Sequence, residues 1–310
     1  MNVSVIIPVF NVEKYIERCV NSVIKALENY GGKSEIILTD NDSKDNSLKI
    51  IKDLEKKHPK LIRVLQCHTP GAGAVRNFAV RKAKGEYFWF IDSDDEITPD
   101  SITKLMEKAC ETDADFVMLG AERRFLDGHT QYLQAIDLKP DEFRRLFVRY
   151  GMGPWQLLIK RSWWLKNDLN FHEGIIHEDM GLMSSLILYT DKFASVNEPL
   201  YYYYETPNSV LHKKGWDPHY MDIFVALEDI YDRFREAGAL EKYHDELEWF
   251  FIWNLLIDSA KDFARSKEGH AGYEKNREML KKYYPNWRKN LYYKKAKLKS
   301  KILIVTNYHK

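Results

Sequence analysis

Five short β-branched or aromatic runs, separated by stretches of helical period, dominate the first 120 residues. VSVIIPVF (3–10), EIILTD (35–40), IRVLQC (62–67), EYFWFID (86–92) and DFVMLG (115–120) each read as a buried strand, apolar over strand length and bounded by polar residues. Between the first two, Tyr15, Ile16, Cys19, Val20, Val23, Ile24 and Leu27 recur at helical spacing, which predicts a helix covering a sheet, with Asn11 as its N-cap. Leu48, Ile51 and Leu54 repeat the signal, and a third helix is expected from Ala74 to Lys84, ending at Gly85. This alternation predicts an α/β fold, a mostly parallel sheet flanked by helices. Such sheets bind ligands beyond the carboxyl ends of their strands. Asp40, Asp42 and the acidic group around Asp92 fall at those ends and are expected to share one crevice.

Beyond residue 120 the alternation weakens. TQYLQAI (130–136) suggests a strand, PDEFRRLFVRY (140–150) and SWWLKNDL (162–169) helices, and FASVNEPLYYYYE (193–205) an extended segment. After Trp216 the pattern is helical almost throughout, broken at Pro285, with Phe224, Leu227, Ile230, Tyr231 and Phe234 on one face. Two domains are therefore expected, residues 1–215 carrying the sheet and residues 216–310 forming a helical appendage.

Charge and cysteine usage exclude several classes. Lys and Arg number 47 against 46 Asp and Glu, so the global balance gives no support to a nucleic-acid partner. Cys19, Cys67 and Cys110 are far apart without CxxC spacing, which argues against a zinc site or a disulfide framework and suits a reducing cytoplasm. The start, MNVSVIIPVF, lacks the basic segment of a secretion signal. The longest apolar run, WFFIWNLLI (249–257), falls short of the ~20 residues needed to span a bilayer and reads as core.

FIDSDDE (90–96) crowds Asp92, Asp94, Asp95 and Glu96 where a buried strand surfaces, although like charges repel. A hard divalent cation would offset that repulsion and could grip phosphate oxygens. The other reading of the residues themselves is an acidic, solvated turn before the helix that opens at TPDS (98–101). DNDSKDNS (40–47) fails as a calcium loop, because Asp45 stands where such a loop needs Gly; it reads as an acidic turn with Ser43 or Asp45 capping a helix.

SVIIPVFNVEKYIERCVNSV, EIILTDNDSKDNS, GAGAVRNFAVRKAKGEYFWFIDSDDEITPD and FHEGIIHEDM occur in this order, and the set closely resembles the family 2 glycosyltransferases of the GT-A fold over residues 1 to about 212. The resemblance implies a Rossmann-like GT-A domain that binds a nucleotide-sugar, most often a UDP-sugar, with Mn²⁺ or Mg²⁺ as cofactor. By that resemblance Pro8, Val9 and Phe10 line a uracil pocket, while Asp40 and Asn41 contact uracil and ribose. Here the chain departs from the family's paired Asp, having Asn41 and then Asp42 where Gly is usual, although an Asn carbonyl can still accept from uracil N3–H. Arg76, beside Asn77, would reach the diphosphate; Asp92 with Ser93 would meet the ribose or the metal, and Asp94 and Asp95 would ligate the metal directly. Asp179, next to Glu178, matches the general base, which implies inversion at the anomeric carbon. His212 stands where some relatives place a late metal or diphosphate ligand; Trp155 and His177 match positions near an acceptor, whereas Trp163 and Trp164 read as core.

The function so implied is an inverting, metal-dependent transfer of a sugar to a hydroxyl of a glycan or lipid-linked acceptor in bacterial surface polysaccharide or lipopolysaccharide synthesis. The alternatives are a sugar nucleotidyltransferase, which would want a Gly-rich loop where PVFNVEKY has none, and an inactive glycan- or nucleotide-binding module. Residues 281–301 carry nine Lys or Arg and no acid, interleaved with Tyr283, Tyr284, Trp287, Tyr292 and Tyr293. Taking those nine charges and Lys310 from the overall +1 leaves residues 1–280 at −9. Such a tail suits peripheral contact with an anionic inner membrane face, at roughly 1 kcal/mol per basic residue, and otherwise reads as a solvated basic helix.

Overall fold

The computed structural model describes residues 2–133, 135, 140–206, 215–264 and 267–310. Nine strands among these residues form one sheet: β1 (Val3–Val9), β2 (Ser34–Asp40), β3 (Ile62–Gln66), β4 (Tyr87–Phe90), β5 (Glu96–Ile97), β6 (Phe116–Arg124), β7 (Thr130–Leu133), β8 (Leu157–Lys160) and β9 (Phe193–Tyr204). Their order is β3-β2-β1-β4-β8-β6-β9-β5, with β7 paired to β6. The run from β3 to β4 is parallel, connected by α1 (Ile16–Tyr30), α2 (Ser47–Lys57) and α3 (Ala72–Lys82). The sheet as a whole is mixed, because β8 pairs antiparallel with both β4 and β6, and β5 with β9. The α/β class with flanking helices holds; parallel pairing is confined to the first four strands and to β6–β9.

The predicted apolar stripe of α1 is buried at Ile16, Cys19, Val20, Val23, Ile24 and Leu27, packing with Val5, Ile7, Ile36 and Leu38 of the sheet and with Leu105 and Met106 of α4 (Ser101–Thr112). Asn11 does not cap α1. Its backbone is left-handed at φ +53°, and its Oδ1 accepts from the Lys44 amide at 2.7 Å, so the helix begins only at Ile16.

The chain forms two compact units that interleave in sequence: residues 1–138, 153–174 and 189–209 in the first, and 139–152, 175–188 and 210–310 in the second. A single cut near residue 215 therefore differs from the observed grouping. Two helices from the middle of the chain, α5 (Pro140–Tyr150) and α7 (Glu178–Ser185), belong with the C-terminal helices, whereas α6 (Arg161–Lys166) stays with the sheet. Phe143, Phe147 and Val148 of α5 are buried in the second unit, as are Leu182 and Met183 of α7. Arg144 donates to the Ile187 carbonyl at 2.6 Å.

The rest of that unit comprises α8 (Ile223–Glu236), α9 (His244–Trp253), a π-helical turn at Asn254–Asp258, α10 (Ser259–Phe263), α11 (His270–Tyr283), α12 (Leu291–Lys295) and α13 (Leu298–Tyr308). The 249–257 run is core, with Phe251, Ile252, Leu255 and Leu256 wholly buried. Among the described residues no helix is long and apolar enough to cross a membrane.

Candidate active site

Parallel register decides which loops meet. Val9 lies opposite Asp40 and Ile6 opposite Phe90, so the chain leaves β1, β2 and β4 at one edge of the sheet. Two of those loops are stitched together: the amides of Asn11, Val12 and Glu13 donate to Ser43 Oγ, Ser47 Oγ and Asp45 Oδ2 at 3.1, 2.8 and 3.0 Å. Glu13 in return accepts from Asn46, and Asp45 Oδ1 accepts from the Ser47 amide at 2.9 Å, opening α2. The acidic stretch 40–47 thus acts as a set of acceptors for backbone amides that helix and sheet leave unpaired.

Between these loops and α3 lies a cavity of about 600 Å³, lined by Pro8, Val9, Phe10, Asn41 and Asp42 at one end and by Arg76, Asp92, Ser93 and Asp94 at the other. Asp42 and the Asp92 group converge there as expected. Asp40 stands behind the lining, 1 % exposed; its Oδ2 accepts from the Ser43 amide, while its buried Oδ1 has no partner among the described residues. Asn41 holds the β3–α3 loop. Its amide nitrogen donates to the carbonyls of Cys67 and Thr69 at 2.7 and 2.9 Å, and its oxygen accepts from the Gly71 amide at 3.1 Å. An aspartate cannot donate to two carbonyls, which gives the departure from a paired Asp a local reason. Gly71, at φ +103°, precedes α3 in a conformation that disfavours side chains, and the first turn of that helix carries no acid and borders the cavity.

Arg76 of α3 is 7 % exposed. Its guanidinium lies 3.2 Å from Asp92 Oδ1 and against the rings of Phe90 and Phe171, which fix its direction. Neighbouring Asn77 serves structure: its side chain exchanges hydrogen bonds with the backbone of Phe171 at 2.9 and 3.0 Å.

The acidic turn divides its carboxylates by direction. Asp92 and Asp94 line the cavity, whereas Asp95 does not and is 1 % exposed. Asp95 Oδ2 accepts from the Tyr201 hydroxyl and Oδ1 from the Tyr204 amide, both at 2.7 Å, while Tyr201 also accepts from the Asp92 amide at 3.1 Å. One buried phenol thereby joins both ends of the turn. Arg18 of α1 donates to the Asp94 carbonyl at 2.6 Å, pairs with Glu96 at 2.9 Å and lies over the Tyr204 ring. Burial first, then the charge of Asp92, raise the Asp94 carboxyl above the usual range, opposed by a hydrogen bond from Thr206 and by Arg18. Burial, Asp92 and Asp94 push Asp95 up further.

Replacing Tyr201 by Phe should leave Asp95 Oδ2 and the Asp92 amide without this partner. The expected result is a loss of about 1–3 kcal/mol of stability and weakened divalent-ion binding, checked by denaturant unfolding and by Mn²⁺ titration. Unchanged values for both would show that the phenol does not hold the turn.

Other expected site residues distribute as follows. Ser93 lines the cavity. Trp155 is partly buried in the first unit, stacked on Tyr201 and Tyr203 at 4.6 and 5.7 Å, and its carbonyl accepts from the Trp89 indole. Trp163 and Trp164 are core. Glu178 and Asp179 form the first turn of α7 in the second unit, preceded by His177 at φ +67°. Burial lowers the His177 imidazole below its usual value, against the pull of Glu178, Asp262, Asp222 and Asp258, and so favours the neutral ring. His212 lies outside the described residues. Arg18, Tyr201, Tyr204 and Thr206 are absent from the sequence-based set; the run of four tyrosines was the available signal, and Arg18 on the polar side of α1 gave none.

An α/β sheet that turns from parallel to antiparallel pairing beside an acidic crevice at its carboxyl edge is an architecture of the GT-A type. The chain belongs to glycosyl transferase family 2, whose family model matches residues 4–162. It is 28% identical over 253 residues to the glycosyltransferase EpsJ of Bacillus subtilis, covering 77% of this chain and 72% of that protein. In structure it resembles S. aureus TarS 1–349 in complex with UDP (TM-score 0.73, 21% identity, 99% of this chain and 89% of that one). It also resembles the mannosyltransferase PcManGT from Pyrobaculum calidifontis in complex with GDP-Man and Mn²⁺ (TM-score 0.55, 14% identity, 99% and 86%).

Proposed function

We propose that this glycosyltransferase moves a sugar from a uridine diphosphate donor to a hydroxyl of a glycan or lipid-linked acceptor, with inversion and with Mn²⁺ or Mg²⁺ bound. The observation that carries the reading is the polarity of the cavity: an apolar wall of Pro8, Val9 and Phe10 suits a base, and Arg76 with Asp92 and Asp94 suits a metal-bound diphosphate. The UDP complex of TarS supports uridine. Asn41, which lines the cavity, would contact the uracil or ribose, with Asp40 directly behind it bracing the turn through the Ser43 amide.

The residues present fit a hard cation, since Asp92 and Asp94 both line the cavity, and burial together with the Asp92 charge disfavours ionisation of Asp94 without one. Asp94 would ligate it with Asp92, and Asp95 would position the turn. When bound, the ion offsets the charge that develops on the departing diphosphate. Arg76 would hold that diphosphate as a charged donor, the α3 N-terminus adding its amides. Asp179 would take the acceptor hydroxyl's proton as that oxygen attacks the anomeric carbon and the bond to diphosphate breaks, with Glu178 beside it. Trp155 and His177 are proposed acceptor contacts.

A thermal-shift panel of UDP, GDP, ADP and CDP with Mn²⁺, followed by transfer assays with the matching sugars, tests the donor. UDP should give the largest shift; stabilisation by non-uridine nucleotides alone would remove the uridine assignment.

Peripheral membrane contact is proposed on altered grounds. Trp287 and Tyr284 are buried, so the tail's aromatic residues do not form a free face. Exposed Leu298, Ile302 and Leu303 on α13, beside exposed Lys295, Lys297 and Lys299, are the groups that would meet anionic lipid. Sedimentation with phosphatidylserine vesicles should exceed that with phosphatidylcholine and fall with salt. Equal, salt-insensitive binding would count against it.

A further inference from the structure

Side chains of α1 reach along the acidic segment that follows β4. Cys19 Sγ lies 3.6 Å from the Asp92 carbonyl, Ser22 Oγ accepts from the Ile97 amide at 3.2 Å, and Asn29 Nδ2 donates to the Pro99 carbonyl at 2.9 Å. Arg18 takes the middle of the segment. It donates to the Asp94 carbonyl at 2.6 Å, its Nε pairs with Glu96 at 2.9 Å, and its guanidinium lies 4.0 Å from the centre of the Tyr204 ring. Residues 18, 22 and 29 recur at helical spacing, so these contacts come from one rigid element within the first unit.

Arg18 differs in kind from the other three. It is the charged member, and the carbonyl it holds belongs to the residue whose carboxylate lines the donor cavity. Its own side chain borders a different cavity, of about 690 Å³, with Lys14, Lys25 and Tyr202. The peptide that joins Asp94 to Asp95 is thus held on both sides: its N–H donates to the Asp92 carbonyl at 3.1 Å and its C=O accepts from Arg18. The Asp94 carbonyl carbon and Cβ share one Cα, so fixing that peptide fixes the direction in which the carboxylate leaves the backbone. A planar guanidinium suits the task, because its fork can hold a carbonyl and a carboxylate at once while its face rests on a ring.

We propose that Arg18 is a positioning residue for divalent-ion binding: by gripping the Asp94 carbonyl it aims the Asp94 carboxylate into the donor cavity. The inference rests on the metal-binding reading of Asp94.

Arg18→Met keeps an unbranched apolar stem and loses the guanidinium. Mn²⁺ binding to the full chain, followed by electron paramagnetic resonance of the free ion, should weaken about 10–100-fold, the scale for partners that orient metal ligands. In a transfer assay the deficit should be large at the Mn²⁺ level that just saturates the parent and should shrink as Mn²⁺ is raised, which loss of a purely stabilising contact would not produce. Arg18→Lys keeps the cation without the fork and should fall between; being milder, it carries the test if Arg18→Met does not fold. Asp94→Asn sets the background for Mn²⁺ held elsewhere. Parent-level Mn²⁺ affinity in Arg18→Met, or in Arg18→Lys where it stands in, overturns the proposal even if Tm falls, and leaves the metal reading intact. Mn²⁺ binding by the parent no tighter than by Asp94→Asn removes the metal reading itself, and this proposal with it.

Discussion

Asp94→Asn is expected to reduce sugar transfer by about 10²–10³-fold or more, the scale on which removing one group that stabilises transition-state charge acts, without loss of fold. The two effects separate because of the carboxyl's environment. Burial and Asp92 raise its pKa in the folded chain, so the folded state favours the protonated form. Its contribution to stability is then fully present below the unfolded pKa and declines as pH rises through the raised folded value. At neutral pH the metal-free Asp94→Asn protein should therefore be at least as stable as the parent. Stabilisation of the parent by Mn²⁺ should shrink as pH falls towards the raised pKa, because protons compete with the ion, and should be small at every pH in the variant. Thermal shifts across pH with and without Mn²⁺, together with a transfer assay, check all three. Full turnover by the Asp94→Asn enzyme would remove the metal-anchoring role.

Asp179→Asn is expected to lower transfer by about 10²–10⁴-fold, the range for loss of a general base, while leaving the affinity for UDP unchanged. The substitution separates chemistry from helix structure. Asp179 lies in the first turn of α7, where a negative charge contributes about 0.3–1 kcal/mol through the helix dipole. Asn keeps the side chain's size and a hydrogen-bonding oxygen, so the fold should persist with a small loss of stability. If turnover persists and only Tm moves, Asp179 belongs to the helix and not to the reaction. Glu178→Gln measured alongside shows which carboxylate carries the pH dependence.

The parallel strands, their helices and the meeting of the Asp42 and Asp92 loops were legible because each rests on local periodicity: apolar runs of strand length, stripes at helical spacing, and the rule that such sheets carry sites at their carboxyl edge. The same applies to the core role of Trp163, Trp164 and the 249–257 run, where a continuous apolar stretch has little choice but burial. Local pattern fails where adjacent residues of one type differ in direction. Asp94 and Asp95 are indistinguishable as letters, yet one lines the cavity and the other is held by Tyr201 and Tyr204, more than a hundred residues away. Asn41 reads as a ligand contact, and only the fold shows that it lines the cavity while also bonding the loop carbonyls of Cys67 and Thr69. The tail's tyrosines and tryptophan suggest a membrane-facing set until Trp287 and Tyr284 are found buried. The interleaving of α5 and α7 with the C-terminal helices has the same origin. Sequence alone therefore determined the elements and the edge at which chemistry gathers, since these follow from short-range spacing. Tertiary structure decided which carboxylate, amide or ring faces which partner, because that depends on hydrogen bonds and burial between segments distant along the chain.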